Sequence, residues 1–351
     1  MKALIYVQHL LGIGHLARVS RIAAALGAAG IDVTLVSGGT PVAGFPKAAD
    51  HDEFGLSQSK LINVIDSKDL ARDSREKPVP TFSHPALVEV VQLPPIRSRD
   101  TAFSELVDAE DRPLTEAFKT LRRERLLGAF ETARPDVLII EAFPFGRRQM
   151  RFELMPLIER AKARQDPPII ASSVRDILQE SRKAGRAEET LGVITDFFDL
   201  VLVHGDPAFA RLEETFPLAR RIADRIAYTG LVAGDAQTSP DRFDVVVSAG
   251  GGVAGRKLIL AAVAAAPRLL DRWPRWCVIT GPNFPKPEQA ALAAGLPDGV
   301  KLETFRPDFP GLLASAAVSV SQAGYNTVCD LLRARCRAVL IPFAEGGETE
   351  Q

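Results

Sequence analysis

Short apolar segments alternate with helical segments along most of this chain, and that alternation limits its fold more than any other feature. The apolar run at residues 4–7 leads into a glycine-containing loop, a helical pattern over about residues 16–29 and a second apolar run at 32–36. Together they predict a β-α-β unit, because parallel strands need a crossover connection, usually a helix. The glycine loop is then expected at the carboxyl end of the first strand.

The same alternation continues through both halves of the chain. Residues 47–113 are polar and weakly periodic, and we interpret them as excursions from the sheet that shape a binding cleft. Another helix is predicted over about residues 254–270. Further buried strands are predicted at residues 137–140, 169–172, 200–204, 244–248, 277–280, 300–303, 318–321 and 338–341.

Chain length and one linker-like segment predict two domains. A chain of 351 residues is too long for one typical hydrophobic core. Residues 233–241 have the composition of a linker and follow the segment 228–232 that closes the first half. We therefore predict two α/β domains with parallel sheets, at residues 1–232 and 242–351.

Composition disfavours several classes of protein. The net charge of −1 gives no support for nonspecific nucleic-acid binding, which needs clustered positive charge. The longest apolar run, residues 258–266, is far shorter than the roughly 20 residues that a membrane-spanning helix needs. The three cysteines lack metal-ligand spacing and favour a reducing compartment. We therefore expect a cytoplasmic protein without a transmembrane segment, and peripheral contact with the inner face of the membrane stays open.

Two glycine-containing turns in the second half predict an anion site. Gly324 lies between an apolar strand and an amphipathic helix, where unpaired N–H groups and the helix dipole suit a diphosphate. Asp330, one turn further, can hydrogen-bond two vicinal ribose hydroxyls. A glycine cluster after the strand at 244–248 permits a second close approach, and a tight strand-to-helix turn is the competing interpretation. The residues assigned to the two turns are Gly250, Gly251, Gly252, Ala323, Gly324, Asn326 and Thr327.

The loop after the first strand contains the candidate base. Gly12 and Gly14 bring the backbone near a substrate, and His15 starts the following helix. A neutral imidazole there could take a proton from a hydroxyl group, since the ordinary histidine pKa lies near neutrality. The competing interpretation is a histidine that merely begins a helix after a tight turn. His9 lies on the same loop, where it could simply pack.

The second half resembles the donor-binding segment of glycosyltransferases of the GT-B fold, and the MurG family of peptidoglycan N-acetylglucosaminyltransferases is the well-known relative. The matching features are the turn at Ala323 and Gly324, Asp330 on the next helix, a strand that ends at Pro342, and an acidic loop that ends at Gln351. The family usually has Glu where this chain has Asp330, so the shorter side chain must lie closer to the ribose. Segments 141–148 and 346–351 also resemble a group of predicted bacterial transferases.

This resemblance implies two facing Rossmann-like domains and an inverting sugar transfer from a nucleotide-diphosphate sugar, with a UDP-sugar as the preferred donor. It implies no metal and no cofactor, and His15 as the base that activates the hydroxyl of an unknown acceptor. Phe305 would flank the nucleotide base and Arg306 would reach phosphate, although a core phenylalanine and a surface arginine explain that pair equally well. Glu350 and Gln351 would select the sugar.

Other polar residues have weaker patterns. Asp50 and Asp52 form an Asp-x-Asp pattern but follow no donor-site strand, so a metal site is not predicted there. Arg147 and Arg148 are interpreted as a solvated basic turn in preference to a site for an anionic acceptor. His204 has no recognisable partner in the sequence.

Two alternative functions share the predicted donor site. One is a UDP-sugar epimerase or hydrolase, and the other is a sugar-nucleotide binding protein without catalysis; the fold alone does not separate them from a transferase. Epimerases usually place several carboxylates and histidines around the sugar, whereas the cleft histidines here lie on the first loop, which weakly favours transfer. Because the chain ends at Gln351 within the donor motif, we expect a truncated C-terminal domain.

Overall fold

The computed structural model describes residues 1–10, 12–42, 88–100, 105–179, 184–234, 238–250, 255–281 and 284–342. The chain divides into two compact units. The first comprises Met1–Leu10 and His15–Val232, and the second comprises Leu11–Gly14 and Ala233–Gln351. Each unit contains a parallel sheet with helices between its strands. The predicted pair of α/β domains with parallel sheets is therefore confirmed.

The first unit builds its main sheet from seven of its described strands, in the order β3-β2-β1-β6-β7-β8-β9, all parallel. The strands are β1 (Lys2–Val7), β2 (Asp32–Ser37), β3 (Val88–Gln92), β4 (Arg97–Ser98), β5 (Leu106–Val107), β6 (Val137–Glu141), β7 (Ile169–Arg175), β8 (Leu200–His204) and β9 (Ile226–Tyr228). The α-helices are α1 (Gly14–Ala28), α2 (Glu116–Ala133), α3 (Arg151–Lys162) and α4 (Arg186–Phe197). Short 3₁₀ segments lie at Arg148–Met150, Leu212–Glu214 and Pro217–Arg225.

Both faces of this sheet are covered, which explains its continuous apolar strands. Alternate residues of β1 point to opposite faces. Ile5 packs in the cluster that includes residues of α1, whereas Leu4 packs in the cluster that includes residues of α2 and α3. Both side chains are fully buried, which stabilises the fold by roughly 1.5–3 kcal/mol for each. The central strands therefore hold the loops that follow them in fixed positions.

The interpretation of residues 47–113 as excursions from the sheet is wrong for Val88–Gln92, which forms β3 and pairs in parallel with β2. β3 lies at the edge of the sheet, and Glu89 and Val90 are exposed. An edge strand of this kind lacks the continuous apolar run of a central strand, so its sequence resembles a loop. Residues 43–87 and 101–104 lie outside the described part of the chain.

A buried ion pair connects α2 and α3 to β1. Arg122 Nε donates to Glu153 Oε2 at 2.6 Å, and the Tyr6 hydroxyl donates to Glu153 Oε1 at 2.5 Å. Arg122 also donates to the carbonyl oxygen of Gly38 at 2.9 Å. The side chains of Arg122, Glu153 and Tyr6 are fully buried. Their mutual hydrogen bonds offset the cost of removing the charges from water, so the pair fixes the packing of the two helices.

The second unit contains five described strands in the order β12-β11-β10-β13-β14, all parallel. They are β10 (Val245–Ser248), β11 (Trp276–Ile279), β12 (Val300–Glu303), β13 (Val318–Gln322) and β14 (Ala338–Ile341). The described helices are α5 (Arg256–Ala265), α6 (Lys286–Ala294), α7 (Phe309–Ser315) and α8 (Tyr325–Ala334). The α5 helix is shorter than predicted, because a 3₁₀ turn at Ala266–Arg268 follows it and contains Pro267, which lacks a backbone N–H.

Each sheet reverses its strand order once, and in α/β sheets the loops that diverge at such a reversal form a crevice. In the first sheet the chain builds outward from β1 toward β3 on one side and from β6 toward β9 on the other. The loops after β1 and β6 therefore diverge at the carboxyl ends of these two strands, where α/β sheets bind ligands. The loops after β10 and β13 have the same relation in the second sheet.

Candidate active site

The crevice of the first sheet brings together the start of α1 and the end of β6. α1 begins at Gly14, so His15 lies in its first turn and Arg18 lies one turn later on the same face. β6 ends at Glu141. The His15 Nδ1 atom lies 3.1 Å from Glu141 Oε1, and the Arg18 guanidinium donates to the same oxygen. Glu141 is fully buried, whereas 32% of the His15 side chain is exposed. A buried carboxylate therefore holds one side of the imidazole, while another part of the ring is exposed to solvent.

Glu141 is ionised, and this decides which nitrogen of His15 carries the proton. Burial favours the neutral acid, but Arg18 and His15 hold the pKa of Glu141 well below its usual range. An ionised carboxylate only accepts hydrogen bonds. The proton of the neutral imidazole therefore lies on Nδ1 and is donated to Glu141, which leaves the lone pair of Nε2 available. Burial, together with the positive charges of Arg147 and Arg18, lowers the pKa of His15 to about 3, so the ring is neutral at neutral pH.

A second layer of polar side chains lies behind Glu141. Ser173, near the end of β7, donates to Glu141 Oε2. The Ser173 hydroxyl oxygen lies 2.8 Å from His204 Nε2 at the end of β8, and His204 Nδ1 lies 2.7 Å from the Thr229 hydroxyl. Ser173 and His204 are fully buried. Burial and the charge of Arg18 lower the pKa of His204 to about 3, so this imidazole is neutral as well.

The interpretation of His204 as a residue without a recognisable partner is therefore wrong. It is paired on both ring nitrogens, and its partners are 31 and 25 residues away in sequence. Glu141 pairs in register with Ser173 on β7, and β7 pairs with β8 so that Arg175 faces His204. A polar residue inside an otherwise apolar strand was the one sequence signal: β7 reads Ile-Ile-Ala-Ser-Ser-Val-Arg, and its serines are fully buried.

The interpretation of Arg147 and Arg148 as a solvated basic turn is also wrong for Arg147. Arg147 is half-buried, and its Nε donates to the carbonyl oxygen of Gln8 at 2.7 Å. Arg148 forms an ion pair with Glu189 at the start of α4. Arg147 thus connects the loop after β6 to the loop after β1, and its charge acts on both histidines of that loop.

His9 is a packed residue in the described structure. It is 4% exposed, and its Nε2 lies 2.9 Å from the carbonyl oxygen of Thr40. A Cβ atom on Gly39 would lie 2.4 Å from His9 Cε1, so the ring fills the space that this glycine leaves. Burial, partly offset by the Thr40 contact, lowers the pKa of His9.

The crevice of the second sheet is built from small residues. Gly250 follows β10 with a φ of 68°, a left-handed conformation that favours glycine, and its N–H donates to the Ser248 hydroxyl at 3.3 Å. Gly324 caps the N-terminus of α8, with Ala323 before it. Asn326 and Thr327 lie in the first turn of that helix. The described residues of both predicted turns thus follow β10 and β13, the two strands at which this sheet reverses its order.

Other predicted donor residues have defined partners or lie outside the described residues. Asp330 is buried in the second turn of α8, and its Oδ1 accepts the Gly234 N–H at 3.1 Å. Phe305 is 40% exposed. The Arg306 guanidinium, predicted to reach phosphate, contacts Asp308 at 2.7 Å and Asp241 at 2.8 Å in the described structure. The predicted residues outside the described ranges are Gly251, Gly252, Glu350 and Gln351, together with the Asp-x-Asp pattern at Asp50 and Asp52.

The described ranges contain neither a metal-binding cluster nor a membrane-spanning helix. Within them, no group of three or more His, Cys, Asp or Glu side chains is arranged to hold a metal ion. No helix in the same ranges combines the length and the apolar character needed to cross a membrane.

Comparison with known proteins gives the fold of this chain and a family match for its second unit. Residues 245–351 match the family described as Glycosyltransferase family 28 C-terminal domain. The structure of CalG4, the calicheamicin glycosyltransferase, is similar at 15% identity and a TM-score of 0.50, over 97% of this chain and 79% of that one. MurG of Acinetobacter baumannii is 16% identical with a TM-score of 0.47, over 100% of this chain and 80% of that one. The similarity to CalG4 shows that the chain has the GT-B fold, as the sequence resemblance implied, and residues 245–351 are similar to a glycosyltransferase family 28 C-terminal domain.

A protein from outside the glycosyltransferases also matches part of the chain. The protein-glutamate methylesterase/protein-glutamine glutaminase of Nitrobacter winogradskyi is 29% identical over 140 residues. The match covers 39% of this chain, and the chain spans 29% of the length of that relative. Because the match is partial on both sides, it assigns no activity to this chain.

Proposed function

We propose that this protein is a glycosyltransferase that moves a sugar from a nucleoside diphosphate, with UDP as the preferred nucleotide, to an acceptor hydroxyl. The observation that carries the proposal is the match of residues 245–351 to a glycosyltransferase family 28 C-terminal domain. That segment contains Gly324 and Asp330, which resemble a nucleotide-sugar site on sequence grounds. The GT-B fold is compatible with this function, although a fold by itself does not define one.

His15 is the proposed base. Its Nε2 lone pair takes the proton of the acceptor hydroxyl while the hydroxyl oxygen attacks the anomeric carbon, and the bond from that carbon to the diphosphate oxygen breaks. Attack on the face opposite the leaving group inverts the anomeric configuration. His15 becomes an imidazolium in this step, and the ionised Glu141, 3.1 Å from Nδ1, stabilises the new charge. The low pKa of His15 keeps the ring unprotonated before the acceptor arrives.

Backbone N–H groups are the proposed stabilisers of the departing nucleoside diphosphate. α8 begins at Tyr325 directly after Gly324, and the first N–H groups of a helix have no partners within it. The positive end of the helix dipole adds to their effect. Because these groups would meet the negative charge that develops on the diphosphate, we propose a reaction that needs no metal ion.

The remaining donor contacts are proposed by resemblance. Asp330 would bind the ribose hydroxyls, and Gly250, Gly251 and Gly252 would approach the diphosphate. Glu350 and Gln351 would select the sugar. We also propose that the protein acts in the cytoplasm, since its three described cysteines form no disulfide with one another.

The test is an assay of donor turnover in the presence of EDTA. UDP-glucose, UDP-N-acetylglucosamine and TDP-glucose are each incubated with the chain, and release of the nucleoside diphosphate is measured with and without a mixture of candidate hydroxyl acceptors. We expect UDP release that persists in EDTA, is fastest with a UDP-sugar and increases with an accepted hydroxyl compound. Proton NMR of the transfer product should show a β-glycoside, because the donors are α-linked.

Three results would contradict this proposal at different points. Absence of UDP binding in calorimetry would remove the donor assignment. Strict dependence on magnesium would remove the metal-free mechanism. Conversion of UDP-N-acetylglucosamine to its C2 epimer, with no transfer to any acceptor, would replace the transferase with an epimerase.

A further inference from the structure

We propose that Ser173 and His204 are positioning residues for the base His15, and that they act through Glu141. The inference rests on the proposed function, since it concerns the base of that reaction. The observation behind it is a continuous row of side chains at the carboxyl ends of β6, β7 and β8, which reaches from His15 to Thr229.

The donors and acceptors of this row have one consistent arrangement. Glu141 is ionised and only accepts, so the single hydroxyl proton of Ser173 must be donated to Glu141 Oε2. The Ser173 oxygen then has lone pairs for His204 Nε2, which must carry the ring proton at a distance of 2.8 Å. His204 Nδ1 is left as an acceptor, and the Thr229 hydroxyl must donate to it at 2.7 Å. Each of the three hydrogen bonds between Thr229 and Glu141 is therefore donated in the direction of Glu141.

The opposite end of the row fixes the base. Glu141 Oε1 accepts from His15 Nδ1 and from Arg18, while Oε2 accepts from Ser173. With both oxygens occupied, the carboxylate has a defined rotation, and the His15 ring is held with Nε2 away from it. The described arrangement makes Ser173 the link that prevents Glu141 from turning, and it makes His204 the group that orients the Ser173 hydroxyl.

Burial raises the free-energy cost of losing these hydrogen bonds. Ser173, His204 and Glu141 are fully buried, and a buried polar group without a partner costs more than the bond itself contributes. A histidine that served packing alone could be replaced by an apolar residue of similar size. His204 instead bonds through both ring nitrogens, to Thr229 at Nδ1 and to Ser173 at Nε2, which is the arrangement that a chain of orienting bonds requires.

The experiment compares two serines of the same strand. Ser172 is the matched control: it is also fully buried, but its hydroxyl donates to the carbonyl oxygen of Phe143 at 2.8 Å and not to Glu141. Protein with ¹⁵N-labelled histidine is prepared as wild type, Ser173→Ala and Ser172→Ala. Long-range ¹H–¹⁵N spectra at pH 7.5 report which nitrogen of each ring carries the proton, and no substrate is needed for them. UDP release from UDP-N-acetylglucosamine and UDP-glucose gives the turnover number.

We expect the wild type to hold His15 with its proton on Nδ1 and His204 with its proton on Nε2. Ser173→Ala should abolish the single tautomer of His204, shift the His15 signals and lower the turnover number by roughly tenfold, the scale of one hydrogen bond to a charged group. Its affinity for UDP should be unchanged. Ser172→Ala should leave both sets of signals and the turnover number near the wild type.

A second pair of variants covers the case in which Ser173→Ala loses its fold. His204→Gln retains an N–H donor that can reach Ser173, and His204→Ala does not. Higher turnover in the glutamine variant than in the alanine variant supports the positioning role. The proposal is overturned if wild-type His15 carries its proton on Nε2, if Ser173→Ala leaves the His15 signals unchanged, or if the two serine variants lose the same activity. If the wild type releases no UDP, the proposed function fails, while the spectra still decide whether the row of bonds exists.

Discussion

The carboxyl ends of the two sheets share the same reversal of strand order but carry opposite chemistry. In the first unit, β6, β7 and β8 end near Glu141, Ser173 and His204, which are fully buried and bonded to one another. In the second unit, the strands at the reversal are followed by Gly250 and Gly324. The carboxyl end of the first sheet therefore carries polar and ionisable side chains, whereas that of the second sheet exposes backbone groups.

This difference shows how one topology can serve two tasks. Accepting a proton requires a side chain whose pKa and orientation are set by its neighbours. Holding a diphosphate requires N–H donors that the ligand can approach closely, and glycine permits that approach. The first edge consequently depends on long-range contacts between side chains, whereas the second depends on local backbone geometry. Substitutions should distinguish the two edges.

Glu141→Ala should have the largest effect, because Glu141 accepts hydrogen bonds from His15, Arg18 and Ser173. Breaking a buried ion pair costs about 3–5 kcal/mol, so urea denaturation should show a fall of that order in the free energy of unfolding. Turnover of the protein that remains folded should fall as well. The expected result is therefore a loss of both stability and UDP release.

The matched control for Glu141 is Glu153. Its buried ion pair with Arg122 connects α2 and α3 to β1 in the same unit. Glu153→Ala should lose stability on a similar scale, since Arg122 would be left buried with its charge. The folded fraction should keep most of its turnover. If the two variants lose turnover equally, Glu141 has no role beyond stability.

His15→Ala should lower the turnover number by about 10²–10⁴-fold, the usual scale for loss of a general base. The proposed diphosphate contacts belong to the other unit, so UDP affinity measured by calorimetry should stay close to the wild type. His9→Ala removes a packed histidine of the same loop and should change the turnover number far less. Wild-type turnover in His15→Ala would show that His15 is structural.

Asp330→Ala should weaken UDP binding by roughly 1–3 kcal/mol, the scale of hydrogen bonds to a charged group. The same substitution also removes the acceptor of the Gly234 N–H. Asp330→Asn separates the two effects, because its amide oxygen can still accept from Gly234 while the charge is gone. Calorimetry should show weakened binding in both variants. Wild-type affinity in Asp330→Asn would assign Asp330 to the Gly234 contact alone.

Arg147→Gln should produce the smallest effect, an upward shift of the His15 pKa. Arg147 lowers the pKa of His15, so removal of its charge makes the imidazolium less unfavourable. The acid limb of the pH profile of kcat/KM for UDP release should move to higher pH. Arg99→Gln alters an exposed arginine paired with Glu105 and should leave the profile unchanged.

The same shift predicts the sign of a change in stability. The pKa of His15 is about 3 in the folded protein and about 6.5 in an unfolded chain, so the unfolded chain binds more protons between these values. The free energy of unfolding therefore falls as pH drops from about 6.5 toward 3. Arg147→Gln should raise the pKa of His15 in the folded protein and so reduce its difference from the unfolded value. The free energy of unfolding of this variant should therefore fall less over the same pH range. A steeper fall in the variant would contradict the assigned role of Arg147.

Much of the fold was predictable because central parallel strands are buried on both faces. β1, β6, β8, β10, β11 and β14 read as largely continuous apolar runs, whereas β12 and β13 alternate apolar and polar residues, and their positions followed from these patterns. β3 was missed because an edge strand needs no such run. The positions of His15 and Gly324 were also predictable, because each lies just after a strand and at the start of a helix.

The partners of these residues were not predictable in the same way. His15 and Glu141 are 126 residues apart, and Ser173 and His204 are 31 apart. Their contact depends on the order and register of β1, β6, β7 and β8, which no local pattern contains. The acidic partners of Arg306 were hidden for the same reason, since Asp241 contacts it from 65 residues away.

The sequence by itself determined the alternation of strands and helices, the small-residue turns at Gly250 and Gly324, and the helix-start position of His15. These features depend on local burial and on backbone conformation, which neighbouring residues encode. Only the tertiary structure decided that Glu141 is ionised and that His15 carries its proton on Nδ1. Charge state and hydrogen-bond direction depend on every group within a few ångströms, and in a parallel sheet those groups come from strands that are distant in the chain.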